Sequence, residues 1–217
     1  MTWRVSYWGL DGVYLTRRPL RRYLVAPQHT IVIDGVACGN GTQTLIDLAA
    51  RLDDLRWEQA LESALRKGLT SVDELTEALP ALGRARIPGT RRVRRVLAMR
   101  PAGTQPTGSI LETFTVQLAR EDPEIGPLTR QYVVHDEHGL FVAQLDLSRP
   151  EDGFFFELDG QQHKDQPVYD ATRETAVVAA TGWLPGRFTY TEVTRFPTPT
   201  RRRMVAVIRQ ARRLHAD

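Results

Sequence analysis

Residues 141–159, "FVAQLDLSRPEDGFFFELD", leave the chain few options. Two apolar runs flank "SRPEDG", a segment too short and turn-like for a helix or a crossover. The pattern predicts an antiparallel hairpin, with strands over 139–147 and 153–159. Side chains alternate along a strand, so Glu157 and Asp159 share a face. With the turn centred near Pro150 and Glu151, Asp146 lies nearly opposite Phe155 and on that same face. Placing charge at the end of an apolar strand costs free energy unless the charge is solvated or paired. These acids are therefore expected at an open edge of the sheet, within metal-bridging reach of one another.

The rest of the chain arranges itself around this hairpin. Residues 1 to about 40 read as short strands ("WRVSYW", "RYLVA", "TIVIDGVAC") with turns between them. Helical spacing follows: Leu45, Leu48, Ala49 and Leu52, then Trp57, Leu61, Ala64 and Leu65 up to the stop at Gly68. Ser71 with Glu74 three residues on is a capping signature, and "GTRRVRRVLAM" is a short basic helix. "RPAGTQPTG", 100–108, is the clearest break. The expected organisation is a strand and helical domain over 1–100, a linker over 101–108, and a second domain over 109–217. That second domain reads as helix 109–121, strands 130–136, 139–147 and 153–159, helix 170–182, strand 186–190 and helix 199–215. A mixed sheet flanked by helices makes the fold class α/β or α+β.

Composition is that of a globular chain: 217 residues, 41% hydrophobic, 25% charged, net charge +3. No apolar run approaches the ~20 residues of a membrane span, the N-terminus does not read as a signal peptide, and a single cysteine fits a reducing cytoplasm. All but two of the 29 basic residues, Lys67 and Lys164, are arginine. The bias as a whole is that of a GC-rich coding sequence, but the clustering is local. Between Arg84 and Arg100 there are seven arginines and no acid, among them Arg91, Arg92, Arg94 and Arg95. Arg201, Arg202 and Arg203 open the last helix. Guanidinium forks match phosphate geometry, which points to a nucleic-acid backbone; a solvated helix face is the competing reading of each block.

Glu112 joins the acids of the hairpin. It lies in the first turn of the helix "SILETFTVQLAR", where Ser109 also makes it a capping-box residue. Asp146 alone reads as a turn residue, Asp159 before Gly160 as the start of a turn, and His163 as a solvated side chain. Together, helix-Glu, strand-Asp and strand-Glu-x-Asp suit a divalent cation, since magnesium is held by one or two carboxylates plus water and phosphate oxygens.

"SILE", "FVAQLDLSRPEDGFFFELDGQQH", "YDATRETAVVAATGW" and "RFTYTEV" resemble the very-short-patch-repair-like branch of the PD-(D/E)XK nucleases. They are most similar to actinobacterial proteins whose C-terminal domain has that fold. The stretch from "VIDGVACGNGTQTL" to "VDELTEAL" resembles the middle region of the same proteins, so the likeness covers about residues 30–215. It implies a restriction-endonuclease-like mixed sheet, with Glu112 as the helical acid, Asp146 as the central metal-binding aspartate and Glu157 as the second strand acid. Asp159 stands where many of these nucleases have lysine, so the water-orienting role passes to His163, to Lys164 or to nothing. Asp170 and Arg173 fall at the start of the helix beside the site. The AbiE-antitoxin-like winged helix that often precedes these regions is absent or reduced, and the opening residues read as strands instead.

The resulting expectation is a cytoplasmic endonuclease for double-stranded DNA that uses Mg2+ or Mn2+. Asp146, Glu157 and Glu112 would hold the metal, His163 would move a proton, and Lys164, Arg173 and the two arginine blocks would contact DNA. A homodimer is the state that cleavage of a two-fold site would favour. Two alternatives stand beside it: a DNA-binding regulator or antitoxin-like protein whose nuclease fold has lost catalysis, and a protein-interaction domain whose arginines face an acidic partner.

Overall fold

Alternation and turn chemistry set the first described element. The computed structural model describes residues 30–100, 103–160 and 167–215, with the side chains of 167–170 left aside. The chain divides into residues 1–39 and 40–217. In the first unit, β1 (Thr30–Ile33) and β2 (Val36–Gly39) pair antiparallel. Asp34 and Gly35 turn between them with φ of 49° and 77°, the doubly left-handed turn that Asp-Gly favours in two-residue hairpins. The strands expected over "WRVSYW" and "RYLVA" lie outside the described residues.

The second unit begins with four helices: α1 (Gly41–Ala49), α2 (Asp54–Arg66), α3 (Val72–Arg84) and α4 (Thr90–Ala98). Asn40, Asp53 and Ser71 cap the first three, each side chain accepting a backbone N–H from the first turn. The expected helical spacing is met by Leu45, Ala49, Trp57, Leu61 and Ala64, which close one core with Leu75, Val93 and Val96. Trp57 is fully buried, and its indole N–H donates to the Leu45 carbonyl at 2.8 Å.

Helix α5 (Ile110–Arg120) leads into β3 (Thr129–His135), β4 (Phe141–Arg149) and β5 (Phe154–Asp159). Helix α6 (Pro167–Thr181) then crosses to β6 (Leu184–Thr189), followed by α7 (Tyr190–Arg195) and α8 (Pro197–His215). The sheet order is β3-β4-β5-β6, antiparallel except for the β5–β6 pair, which α6 connects in parallel. This is the expected mixed α+β class. Phe154, Phe156 and Phe188 fill the core beneath α5 and α8. Gly186 packs tightly beside them, and a Cβ there would stand 2.9 Å from the Phe156 ring and displace it.

Two expectations are corrected. The β4–β5 turn sits one residue further along, so Arg149 pairs with Phe154 and Leu147 with Phe156. Continuing that register brings Asp146 level with Glu157 rather than with Phe155. Glu157 and Asp159 are also not on an open edge, since β5 is an inner strand between β4 and β6.

Candidate functional site

Strict alternation fails at Asp146. Leu147 packs with Phe156 beneath α5 and α8, whereas Leu145 and Ala143, which should share its face, pack with Phe155 and Val177. On the neighbouring strand, between the Arg130–Leu147 and Tyr132–Leu145 pairs, Gln131 has a left-handed φ of 53°. The β4–β5 ladder ends at the same level, its last pair being Leu147 with Phe156. There the Asp146 carboxylate accepts the N–H of Leu158 at 3.0 Å. Asp146 thus reaches β5 where the β4–β5 ladder ends.

Three carboxylates gather at this ladder end. Glu157 is buried and lifted to about pH 7, first by loss of solvent and then by the charge of Asp146, with Arg173 and Arg187 opposing. Glu112, 3% exposed, is raised by the same two causes in the same order. Asp146 is therefore felt by both glutamates. Ser109 does cap α5, accepting the Glu112 N–H at 3.1 Å, but the Glu112 carboxylate does not close a capping box. Its Oε2 instead accepts the Gly108 N–H at 2.7 Å and the Gln131 side-chain amide at 2.8 Å.

Arg173 on α6 completes the surround. Its Nη1 donates to Glu157 Oε2 at 2.9 Å, and its Nη2 donates to the Gln144 carbonyl. Asp159, two residues along β5 from Glu157, faces Arg187 at 3.7 Å. His163 and Lys164 lie outside the described residues, and the side chain of Asp170 is not described.

Oxygen donors of this kind suit a hard divalent cation, and magnesium needs only one or two carboxylates beside its waters. Among the described residues no three His, Cys, Asp or Glu side chains form a ready-made cage. Asp146 with Glu157 is the pair that fits, with Glu112 beside them and Arg173 now against Glu157.

The arginines sort into two groups. Half-buried Arg92 and exposed Arg95 both pair with Asp54, at 2.9 Å and 2.5 Å, while Arg91 and Arg94 are exposed and form no ion pair among the described residues. In the last helix Arg201 pairs with Glu121 at 2.8 Å, and Arg203 pairs with Glu192 and lies over the Phe188 ring. Arg202 remains exposed and makes no ion pair among the described residues.

Gln131 was not foreseen, and neither was the pairing of Arg173 with Glu157. Glu62 and Glu58 carry no motif either. Glu62 is 1% exposed and receives both Arg130, at 2.7 Å, and Arg100; Glu58 receives Arg120 at 2.7 Å. Their one local signal was position, since each glutamate directly follows a core residue, Trp57 or Leu61. No helix among the described residues is long and apolar enough to cross a membrane. Comparison with protein-family models, curated proteins and solved structures gives no match.

Proposed function

We propose that this chain is a metal-dependent endonuclease that hydrolyses phosphodiester bonds in double-stranded DNA. One observation carries the reading: Asp146 sits where the β4–β5 ladder ends, and its charge reaches both Glu157 and Glu112. Three acids from a helix and two strands, two of them buried, call for a positive counter-charge. Asp146 and Glu157, with Glu112 assisting, are the residues that would hold Mg2+ or Mn2+. Such an ion, when bound, polarises the phosphoryl oxygen and lowers the pKa of water.

The remaining roles fall to the chain's own side chains. The buried carboxylates orient their oxygens through fixed donors: Gly108 and Gln131 on Glu112, Leu158 on Asp146, Arg173 on Glu157. Arg173 is partly exposed and brings a guanidinium to a site whose strand has Asp159 where related nucleases have lysine, which suits it to a phosphate oxygen. His163 is the residue proposed to move a proton. Arg91, Arg94 and Arg202, exposed and without ion pairs among the described residues, are the residues proposed to grip backbone phosphates, contacts that hold DNA without reading its sequence.

The Arg173–Glu157 pair favours one second reading. An internal cation on a metal-binding carboxylate is what a nuclease fold turned DNA-binding regulator would retain. A plasmid-nicking assay decides between the two, run with Mg2+, with Mn2+ and with chelator on supercoiled, linear and mismatched DNA. Metal-dependent nicking by the wild type supports the endonuclease. Tight DNA binding without nicking of any substrate supports the regulator.

A further inference from the structure

Glu62 lies on α2 among the N-terminal helices, and Glu112 lies at the acidic site, yet two pairs of consecutive residues join them. Thr107 N–H donates to Glu62 Oε2 at 3.0 Å, and the next N–H, that of Gly108, donates to Glu112 Oε2 at 2.7 Å. Arg130 donates to Glu62 Oε1 at 2.7 Å, and the next residue, Gln131, donates to Glu112 Oε2 at 2.8 Å. Neighbours on a strand ordinarily point to opposite faces. The left-handed Gln131 cancels that alternation and allows both side chains to reach acids on the helical side. A non-glycine residue held there is strained and persists only where its surroundings enforce it.

The Thr107–Gly108 peptide carries the geometry further. Its carbonyl accepts Arg66 Nη1 at 2.7 Å, and its N–H is the one that Glu112 receives. The peptide unit is planar, so fixing its oxygen aims its N–H. Gly108 cannot be larger without disturbing this contact, since a Cβ would stand 2.7 Å from both Gln131 Nε2 and Glu112 Oε1.

We propose that Glu62, with Arg66, is a positioning device for Glu112, so that the N-terminal helices build part of the acidic site as well as contacting DNA. The proposal rests on the endonuclease reading for what Glu112 is positioned to do, but the physical link can be measured without it. Glu62→Gln leaves two buried guanidiniums without a carboxylate and risks unfolding. Arg66→Ala is the gentler variant, because Arg66 is only half-buried and gives up one contact of the peptide. Two readouts are taken on wild type, Arg66→Ala, Arg66→Lys and, if folded, Glu62→Gln: amide hydrogen exchange at Gly108, and Mn2+ binding by titration calorimetry.

In Arg66→Ala, Gly108 should lose protection and Mn2+ affinity should drop, each by roughly five- to tenfold, the scale of one lost hydrogen bond. Arg66→Lys keeps a donor and should restore most of both. Unchanged Gly108 protection in a folded Arg66→Ala protein overturns the link. Lost protection with unchanged Mn2+ affinity overturns the role at the metal site. If the wild type takes up no Mn2+, the endonuclease reading falls, and Gly108 protection alone decides whether Glu62 and Arg66 position Glu112.

Discussion

Arg173 and Glu157 form an ion pair at 2.9 Å across the gap between α6 and β5, and the same guanidinium reaches the Gln144 carbonyl. The arginine thus sits against the carboxylate proposed to hold a metal. Removing it should have effects of opposite sign. Arg173→Ala removes the guanidinium paired with Glu157, so Mn2+ binding in the absence of DNA should tighten by roughly threefold or more. Nicking should slow, because a phosphate loses a guanidinium. Weaker Mn2+ binding in a folded Arg173→Ala protein would show instead that the pair only braces the helix.

Asp146→Asn separates structure from chemistry. Asparagine keeps an oxygen for the Leu158 N–H but loses the charge felt by both glutamates. Metal-dependent nicking should fall by roughly a hundredfold or more, while DNA affinity and thermal midpoint stay near wild type. Residual nicking within a few fold of wild type would remove Asp146 from the centre of the site.

Glu157 makes a pH prediction for the protein in chelator. Its folded pKa of about 7 lies above the ordinary glutamate value of 4.5. Between those values the native state holds a proton that the unfolded chain has lost, so stability falls as pH rises through this window. Glu157→Gln removes that loss. The variant should gain on wild type by about 2 kcal/mol between pH 5 and pH 8, read from denaturant unfolding at both pH values. A difference that is flat with pH would mean that Glu157 titrates normally.

The basic helix α4 should divide in two. Arg91→Ala with Arg94→Ala should weaken duplex binding and reduce the salt slope by about 2, one unit per phosphate contact, with little loss of stability. Arg92→Ala with Arg95→Ala strands Asp54, whose carboxyl Arg95 and Arg92 hold down at about 2, and should lower stability more than DNA affinity. Salt-dependent fluorescence anisotropy together with thermal melts distinguishes the pairs. Equal effects on binding would return all four residues to a single DNA-contacting face.

What could be read from the residues was local. The hairpin, the α5 cap and the shared parity of Glu157 and Asp159 follow from alternation and turn chemistry within a few residues. The level of Asp146 missed by two, because turn length, not strand pattern, sets hairpin register. Gln131 was invisible since nothing in "TRQYVV" announces a left-handed residue inside a strand. The ion pairs of Arg92, Arg95 and Arg201 are equally hidden. A guanidinium and the carboxylate it finds 38 to 80 positions away leave no periodic trace.

The ion pairs between α2 and the second half, Glu62 with buried Arg130 and Glu58 with partly exposed Arg120, bear on how such a chain can be inherited. A fragment starting near residue 109 would carry Arg130 into an interior without its carboxylate, at a cost of about 3–5 kcal/mol for the broken pair. A domain's whole stability margin is about 5–15 kcal/mol, so that loss is a large share of it. Recombination at the proline- and glycine-rich break would therefore have to carry matching acids and arginines from both sides. The helices and the sheet would travel between genomes as one piece, and a graft from a relative should fold only where the donor helix brings its own Glu58 and Glu62.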